Sequence, residues 1–211
     1  WRLCVLVSEA LCKACDWQGV VEQVIAGACE ARRAEDVCIQ LREKSLSDVS
    51  LLDRAKWLVS KARNAGVDVM INDRPDIAVL ANADGVHLGQ DDLPVAEARR
   101  IVGFRRLIGV STSGIEQAQQ ALRDGADYCG VGPMFETTTK QKPQLAGPEY
   151  LRTYRQWDGL PHLAIGGIGL ANLDTLIDAG VQGVAVSSCV CAAEHPGKVV
   201  KALLDKLVGS P

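Results

Sequence analysis

Residues 107–131 read LIGVSTSGIEQAQQALRDGADYCGV, in which two short β-rich runs, Leu107–Val110 and Tyr128–Val131, enclose a helical stretch, Ile115–Arg123. Gly125 stands between the helix and the second run, where a left-handed C-cap is wanted. Strand, helix and strand in that order make a crossover unit whose strands lie parallel. The alternation continues in both directions. Strands are expected at Leu3–Val7, Val37–Leu41, Val67–Ile71, Gly85–Leu88, His162–Ile165 and Gly183–Val186. Helical faces fill the gaps, among them Trp17–Ala31 with its Val20, Val24, Ala28 spacing, Asp48–Ala65 and Val199–Leu207. Gly66 and Gly180 repeat the placement of Gly125. Eight such units, rather than five or six, favour an α/β fold closed as a single (β/α)8 TIM barrel, with an open doubly wound sheet as the alternative.

The chain has 211 residues, 47% of them hydrophobic, enough to bury one good core but cramped for two. We therefore expect residues 1–211 to form one barrel domain. A net charge of -3 argues against nucleic-acid or membrane-surface binding, which calls for an extended basic face. Phosphate chemistry, if present, has to be local. No apolar run reaches the roughly 18 residues of a membrane span, and Trp1–Val7 reads as a strand rather than a signal peptide, so a cytoplasmic protein is expected. A first strand that starts at once, on Trp1, suggests a stretch excised from a longer chain. Oligomeric state is left open.

In either fold, ligands meet the carboxyl ends of the strands. The second strand runs into Gln40-Leu41-Arg42-Glu43-Lys44, where the two-residue period puts Gln40, Arg42 and Lys44 on one face. The third ends in Asn72-Asp73-Arg74 and the fourth in His87-Leu88-Gly89-Gln90-Asp91-Asp92. These acidic residues could simply cap the helices that follow. Asp73 and Asp92 nevertheless come from adjacent strand ends, and a pair of hard oxygen ligands suits Mg2+ bound mainly through substrate phosphates. The fifth strand ends in Ser111-Thr112-Ser113. The sixth opens the longest loop, Gly132 to Pro148, with Thr137, Thr138, Thr139 and Lys140 as hydroxyl donors and a point charge. The seventh gives way to Gly166-Gly167-Ile168-Gly169 and the eighth to Ser187-Ser188, where barrels commonly hold a phosphate on backbone N–H groups. His87 is expected to be packed or hydrogen-bonded, since no nucleophile is paired with it in the sequence.

Together, Gln40 to Lys44, Ile71 to Arg74, Gly85 to Leu93, Gly109 to Thr112, Gly130 to Pro133, Thr137 to Lys140 and Ala164 to Ile168 resemble the thiamine-phosphate synthase family over nearly the whole chain. The resemblance implies a transferase that joins 4-amino-2-methyl-5-hydroxymethylpyrimidine diphosphate to a (carboxy)thiazole phosphate, releasing pyrophosphate by a Mg2+-assisted dissociative substitution. It implies that Gln40, Arg42, Lys44 and Asn72 contact the pyrimidine diphosphate, that Asp73 and Asp92 hold Mg2+, and that Ser111 holds the pyrimidine. Thr137 and Thr139 would bind the thiazole phosphate and Lys140 the pyrophosphate, while Gly167, Ser187 and Ser188 would cradle the phosphate of the thiazole. Arg42, Lys44, Asn72, Ser111 and Lys140 would carry the catalysis. The chain departs from the family pattern in two places. Ser113-Gly114 follows where the family has His after Ser-Thr, and Glu136-Thr137-Thr138-Thr139-Lys140 replaces a Pro-Thr-x-Thr-Lys loop.

Two other readings are a thiazole tautomerase on the same barrel, which would not need the diphosphate and metal set, and a sensing domain that binds thiamine phosphate without turnover. Of eight cysteines, Cys4, Cys38 and Cys129 fall inside strands as buried thiols. Cys12, Cys15, Cys189 and Cys191 lie in the loops after the first and last strands, which barrel closure makes neighbours. As a hypothesis, these four thiols could assemble a structural zinc site or a redox pair, although the short Cys-Val-Cys spacing is loose evidence for either.

Overall fold

In a computed structural model, which describes residues 1–137 and 145–209, the chain runs β1 (Leu3–Val7), α1 (Trp17–Glu30), β2 (Val37–Leu41), α2 (Asp48–Arg63), β3 (Asp68–Asn72), α3 (Pro75–Leu80), β4 (Gly85–Leu88), α4 (Val95–Val102), β5 (Leu107–Thr112), α5 (Ile115–Arg123), β6 (Tyr128–Val131), α6 (Gly147–Trp157), β7 (His162–Ile165), α7 (Leu173–Asp178), β8 (Val184–Val186), α8 (Ser188–Cys191) and α9 (Pro196–Val208). All eight strands are parallel and consecutive neighbours pair. β1 pairs with β2 through Leu3 and Val37 and with β8 through Leu3 and Val184, so the sheet closes and the open-sheet alternative falls.

Two apolar regions hold the barrel, as its geometry demands. Outward-facing strand residues such as Val5, Ile39, Ile71 and Val86 pack under the helices with Val20, Val24, Leu58 and Leu203. Inward-facing residues form a smaller cluster of Cys4, Leu6, Cys38, Met70, Tyr128, Leu163 and Ala185. Cys4 and Cys38 meet inside it with their sulfurs 3.8 Å apart, and all eight cysteines are free thiols.

The helices begin and end where local chemistry directs. Asp16 caps α1 by accepting from the Gly19 N–H at 2.8 Å, and Ser47 caps α2 by accepting from the Ser50 N–H at 3.3 Å. Gly66, Gly125 and Gly180 have φ of 73°, 86° and 81°, the left-handed turn expected of them. α1 and α9 cross closely because Gly27 faces Gly197, where a Cβ at position 27 would stand 2.3 Å from a backbone oxygen. Among the described residues, no helix is long and apolar enough to cross a membrane.

Candidate active site

The inward strand residues stop short of the carboxyl end of the barrel, and a cleft of roughly 990 Å3, its open mouth included, lies above them. Its floor is apolar, from Leu6, Ile165, Ile168, Ala185 and Val186. Its walls carry the polar residues singled out in the sequence: Gln40, Arg42, Lys44, Asn72, Asp73, Ser111, Thr137, Gly167, Ser187 and Ser188 all line it. Asp92 stands just behind Asp73. Thr139 and Lys140 lie outside the described residues.

The cationic wall follows from strand alternation. Gln40 is buried at the top of β2, and Arg42 and Lys44 continue the same face into the cleft. Glu43 faces the other way, where its Oε1 accepts from the Glu9 backbone N–H at 2.7 Å and from Arg54 Nη1 at 3.2 Å. Arg54 also pairs with Glu9 at 2.5 Å and lies over the Trp17 ring at 5.0 Å. This anchor holds the segment so that its neighbours on either side point inward. Among the described residues Arg42 has no ion-pair partner, whereas Lys44 Nζ lies 3.3 Å from Asp73 Oδ2.

Asp73 follows β3 with φ of 62°, and its N–H donates to the His87 carbonyl at 2.8 Å. Asp92 turns back toward the same point, its Oδ2 accepting from the Gly89 N–H at 2.6 Å. Burial and a hydrogen bond with the adjoining Asp92 carboxyl push the Asp73 carboxyl above its ordinary range, against the pull of Lys44. Two carboxyl groups in contact with one nearby ammonium are undercompensated when ionised. Such a donor set suits a hard divalent cation whose remaining ligands are water and phosphate oxygens.

On the opposite wall, Gly166 and Gly167 have φ of 105° and 63°, and a Cβ on Gly167 would stand 2.3 Å from the Glu136 carbonyl oxygen. Asn172 fixes this turn by donating to the Gly167 carbonyl and accepting from the Gly169 N–H, both at 2.9 Å. Ser187 donates its hydroxyl to the Leu6 carbonyl at 2.8 Å, which commits that proton to β1. The loop after β6 folds back at its far end, where the Ala146 and Gly147 N–H groups donate to the Pro133 carbonyl at 3.0 and 3.1 Å.

His87 is hydrogen-bonded, as expected, but it also lines the cleft, with Nε2 3.0 Å from Ser111 Oγ. A usable signal was the glycine at the inward positions Gly109 and Gly130 on the two following strands, which leaves room for rings. Thr112, also on the cleft, shares a 2.9 Å hydrogen bond with the Tyr150 hydroxyl, which donates to the Gly114 carbonyl and ties β5 to α6. Barrel closure does bring the two cysteine loops together. Cys12 and Cys191 share a hydrogen bond, with Cys12 also on the Ser8 carbonyl at 3.3 Å and Cys191 on the Leu6 carbonyl at 3.4 Å. The zinc hypothesis is not supported, since among the described residues no three His, Cys, Asp or Glu side chains are placed to hold a metal ion.

A closed parallel barrel whose cleft at the strand ends carries cations and a carboxyl pair on one wall and glycine and serine turns on the other has the architecture of an enzyme acting on small molecules. The family described as thiamine monophosphate synthase matches residues 3–190, and the chain belongs to it. It is 44% identical over 197 residues to the thiamine-phosphate synthase of Chloroflexus aurantiacus, covering 92% of this chain and 87% of that one. With the thiamine-phosphate synthase of Gloeobacter violaceus it shares 46% identity over 169 residues, 80% of this chain but half of that longer protein. The thiamine phosphate pyrophosphorylase of Pyrococcus furiosus superposes with a TM-score of 0.85 at 31% identity, covering 99% and 96% of the two chains. A Streptococcus mutans protein titled KGPDC, at 14% identity and a TM-score of 0.68, shares the fold alone.

Proposed function

We propose that this barrel makes thiamine phosphate by joining 4-amino-2-methyl-5-hydroxymethylpyrimidine diphosphate to a (carboxy)thiazole phosphate, with pyrophosphate as the second product and, where the thiazole carries the carboxylate, that group lost as CO2. It is a transferase. The observation that carries the reading is the division of one cleft: Arg42, Lys44 and Asp73 on one wall, with Asp92 hydrogen-bonded to Asp73, Gly167, Ser187 and Ser188 on the other, and an apolar floor between. Two phosphorylated aromatic rings fit that division, one on each wall.

Arg42, Lys44 and Asn72 bind the diphosphate and spread the charge that builds on it as the carbon–oxygen bond to the methylene breaks. The electron pair of that bond leaves with pyrophosphate, and the aminopyrimidine ring delocalises the positive charge left on the methylene carbon. Ser111 holds that ring in place. The thiazole nitrogen, kept in line by phosphate contacts at Gly167, Ser187, Ser188 and Thr137, donates its lone pair and closes the new carbon–nitrogen bond. Thr139 and Lys140 complete the thiazole and pyrophosphate contacts in this assignment. Asp73 and Asp92 would hold Mg2+, which neutralises leaving-group charge when bound. No protein nucleophile is needed.

The cation and carboxylate set is the part that a tautomerase would not use. Asp92→Ala separates the two, because Asp92 lies at a strand end away from the core. Pyrophosphate release should fall by two orders of magnitude or more, on the order of a lost metal ligand, with the far-UV spectrum unchanged. Wild-type turnover by that variant would remove the metal assignment.

A further inference from the structure

Beneath the polar wall, three side chains from consecutive strands are joined in a line. Tyr128 on β6 lies in the inward cluster, 6% exposed, and its hydroxyl is 2.9 Å from His87 Nδ1 on β4. The other ring nitrogen, Nε2, is 3.0 Å from Ser111 Oγ on β5. Space for this line is made by missing side chains. A Cβ at Gly109 would stand 2.1 Å from the Tyr128 ring, and one at Gly130 would stand 3.1 Å from His87 Cε1.

The direction of the two hydrogen bonds follows from what surrounds Tyr128. Its neighbours in the cluster are Cys4, Leu6, Cys38, Met70, Leu163 and Ala185. A buried phenol needs an acceptor for its proton, and among the described residues His87 Nδ1 is its hydrogen-bond partner. An accepting Nδ1 leaves a neutral imidazole with its proton on Nε2, and that proton goes to Ser111 Oγ. A serine oxygen that accepts from the imidazole keeps its own proton to give, and the remaining direction is the cleft that Ser111 lines.

We infer that Tyr128 is a positioning residue: it sets the Nε2–H tautomer of His87, which makes the Ser111 hydroxyl a donor to an acceptor atom of the pyrimidine diphosphate. The donor role rests on the function proposed above, whereas the tautomer does not. With the opposite tautomer, Ser111 would donate to the imidazole and offer the substrate only lone pairs. With Nε2–H in place, by contrast, the site disfavours ligands lacking an acceptor at that point, because the Ser111 hydroxyl proton would then go unpaired.

The test is imidazole 15N NMR of the ligand-free protein labelled in histidine, with His87 assigned by its loss in His87→Gln and the other two histidines by their own substitutions. We expect a protonated Nε2 and a bare Nδ1 at His87 in the wild type. In Tyr128→Phe the two tautomers should mix, and KM for the pyrimidine diphosphate should rise about 5- to 10-fold, the scale of one neutral hydrogen bond, with KM for the thiazole phosphate unchanged. In a Ser111→Ala background the Tyr128 substitution should have no further effect on KM. A wild-type His87 protonated on Nδ1 overturns the inference without need of any variant, so a Tyr128→Phe that fails to fold does not rescue it. The expected tautomer shift with an unchanged KM removes the donor role. Absence of turnover in the wild type, with the tautomer as expected, strikes the proposed function instead.

Discussion

Lys44 Nζ lies 3.3 Å from Asp73 Oδ2, while Asp73 also hydrogen-bonds the Asp92 carboxyl, so one ammonium answers two acids. Burial first, and then this second carboxyl, hold the Asp73 proton more tightly in the folded chain than in the unfolded one. Its contribution to stability is full below the ordinary carboxyl range and is lost as pH rises through the raised value. Near neutral pH the ionised form is a cost to the metal-free protein. Asp73→Asn should therefore raise stability by about 0.5–1 kcal/mol, since Asn also accepts a left-handed φ. The same variant should lose Mg2+-dependent turnover. Thermal melts with and without Mg2+ check both: the wild type gains on adding the ion, and the variant melts higher without it but does not respond.

Glu43 tests the anchor beneath the cationic wall. Its carboxylate is 6% exposed and held by Arg54 and the Glu9 N–H. Arg54→Met keeps the stem against Trp17 but strands that carboxylate, and should cost about 2 kcal/mol. Because Arg42 and Lys44 flank Glu43, KM for the diphosphate substrate should rise several-fold as well. A urea melt together with steady-state kinetics would show a purely structural role if stability fell and KM stayed.

His162 should shape acid stability. Its backbone N–H donates to Gln182 Oε1 at 3.1 Å, and its Nε2 accepts from the Gln182 N–H at 3.4 Å, an acceptor role that requires neutral imidazole. Burial, with Arg155 nearby, holds it down to about 4. A depressed value means that the stabilisation is complete above the unfolded value of 6.5 and disappears as pH falls toward 4. At about 1.4 kcal/mol per unit, His162→Gln should remove about 3 kcal/mol of pH dependence across that window. Equal slopes for the two proteins in urea melts from pH 7 to 4.5 would contradict it.

The cysteines predict an order of alkylation. Burial pushes the Cys12 thiol up to about 12 and Cys189 up to about 11, whereas Cys29 on α1 is exposed. Thiolate is the reactive form. Iodoacetamide at neutral pH should label Cys29 well before Cys12 or Cys189, as read by peptide mass. Early labelling of Cys12 would show that its loop opens away from Cys191.

The fold was legible because the strands are short apolar runs, three of them preceded by a helix-ending glycine, Gly66, Gly125 or Gly180. The expected Leu3–Val7, Val37–Leu41, Gly85–Leu88, Tyr128–Val131 and His162–Ile165 coincide with the observed strands. β3 slipped by one residue, since Asp68 and Asn72 are polar ends that the pairing with β2 and β4 nonetheless recruits. The cationic face was legible because Gln40, Arg42 and Lys44 obey a two-residue period. The part played by His87 was not, because its partners lie 24 and 41 residues away and meet it only through barrel curvature. Arg54 was missed for a similar reason: its helix position looks like an ordinary solvated charge until α2 packs beside β2.

Pyrophosphate and thiamine phosphate measured together, from purified protein with both substrates, test the central claim most directly. Pyrophosphate is read by a coupled assay and thiamine phosphate by fluorescence after oxidation, with and without Mg2+. The account predicts both products in equal amounts, each dependent on both substrates and on Mg2+. Folded protein that binds the thiazole phosphate but forms neither product would contradict it.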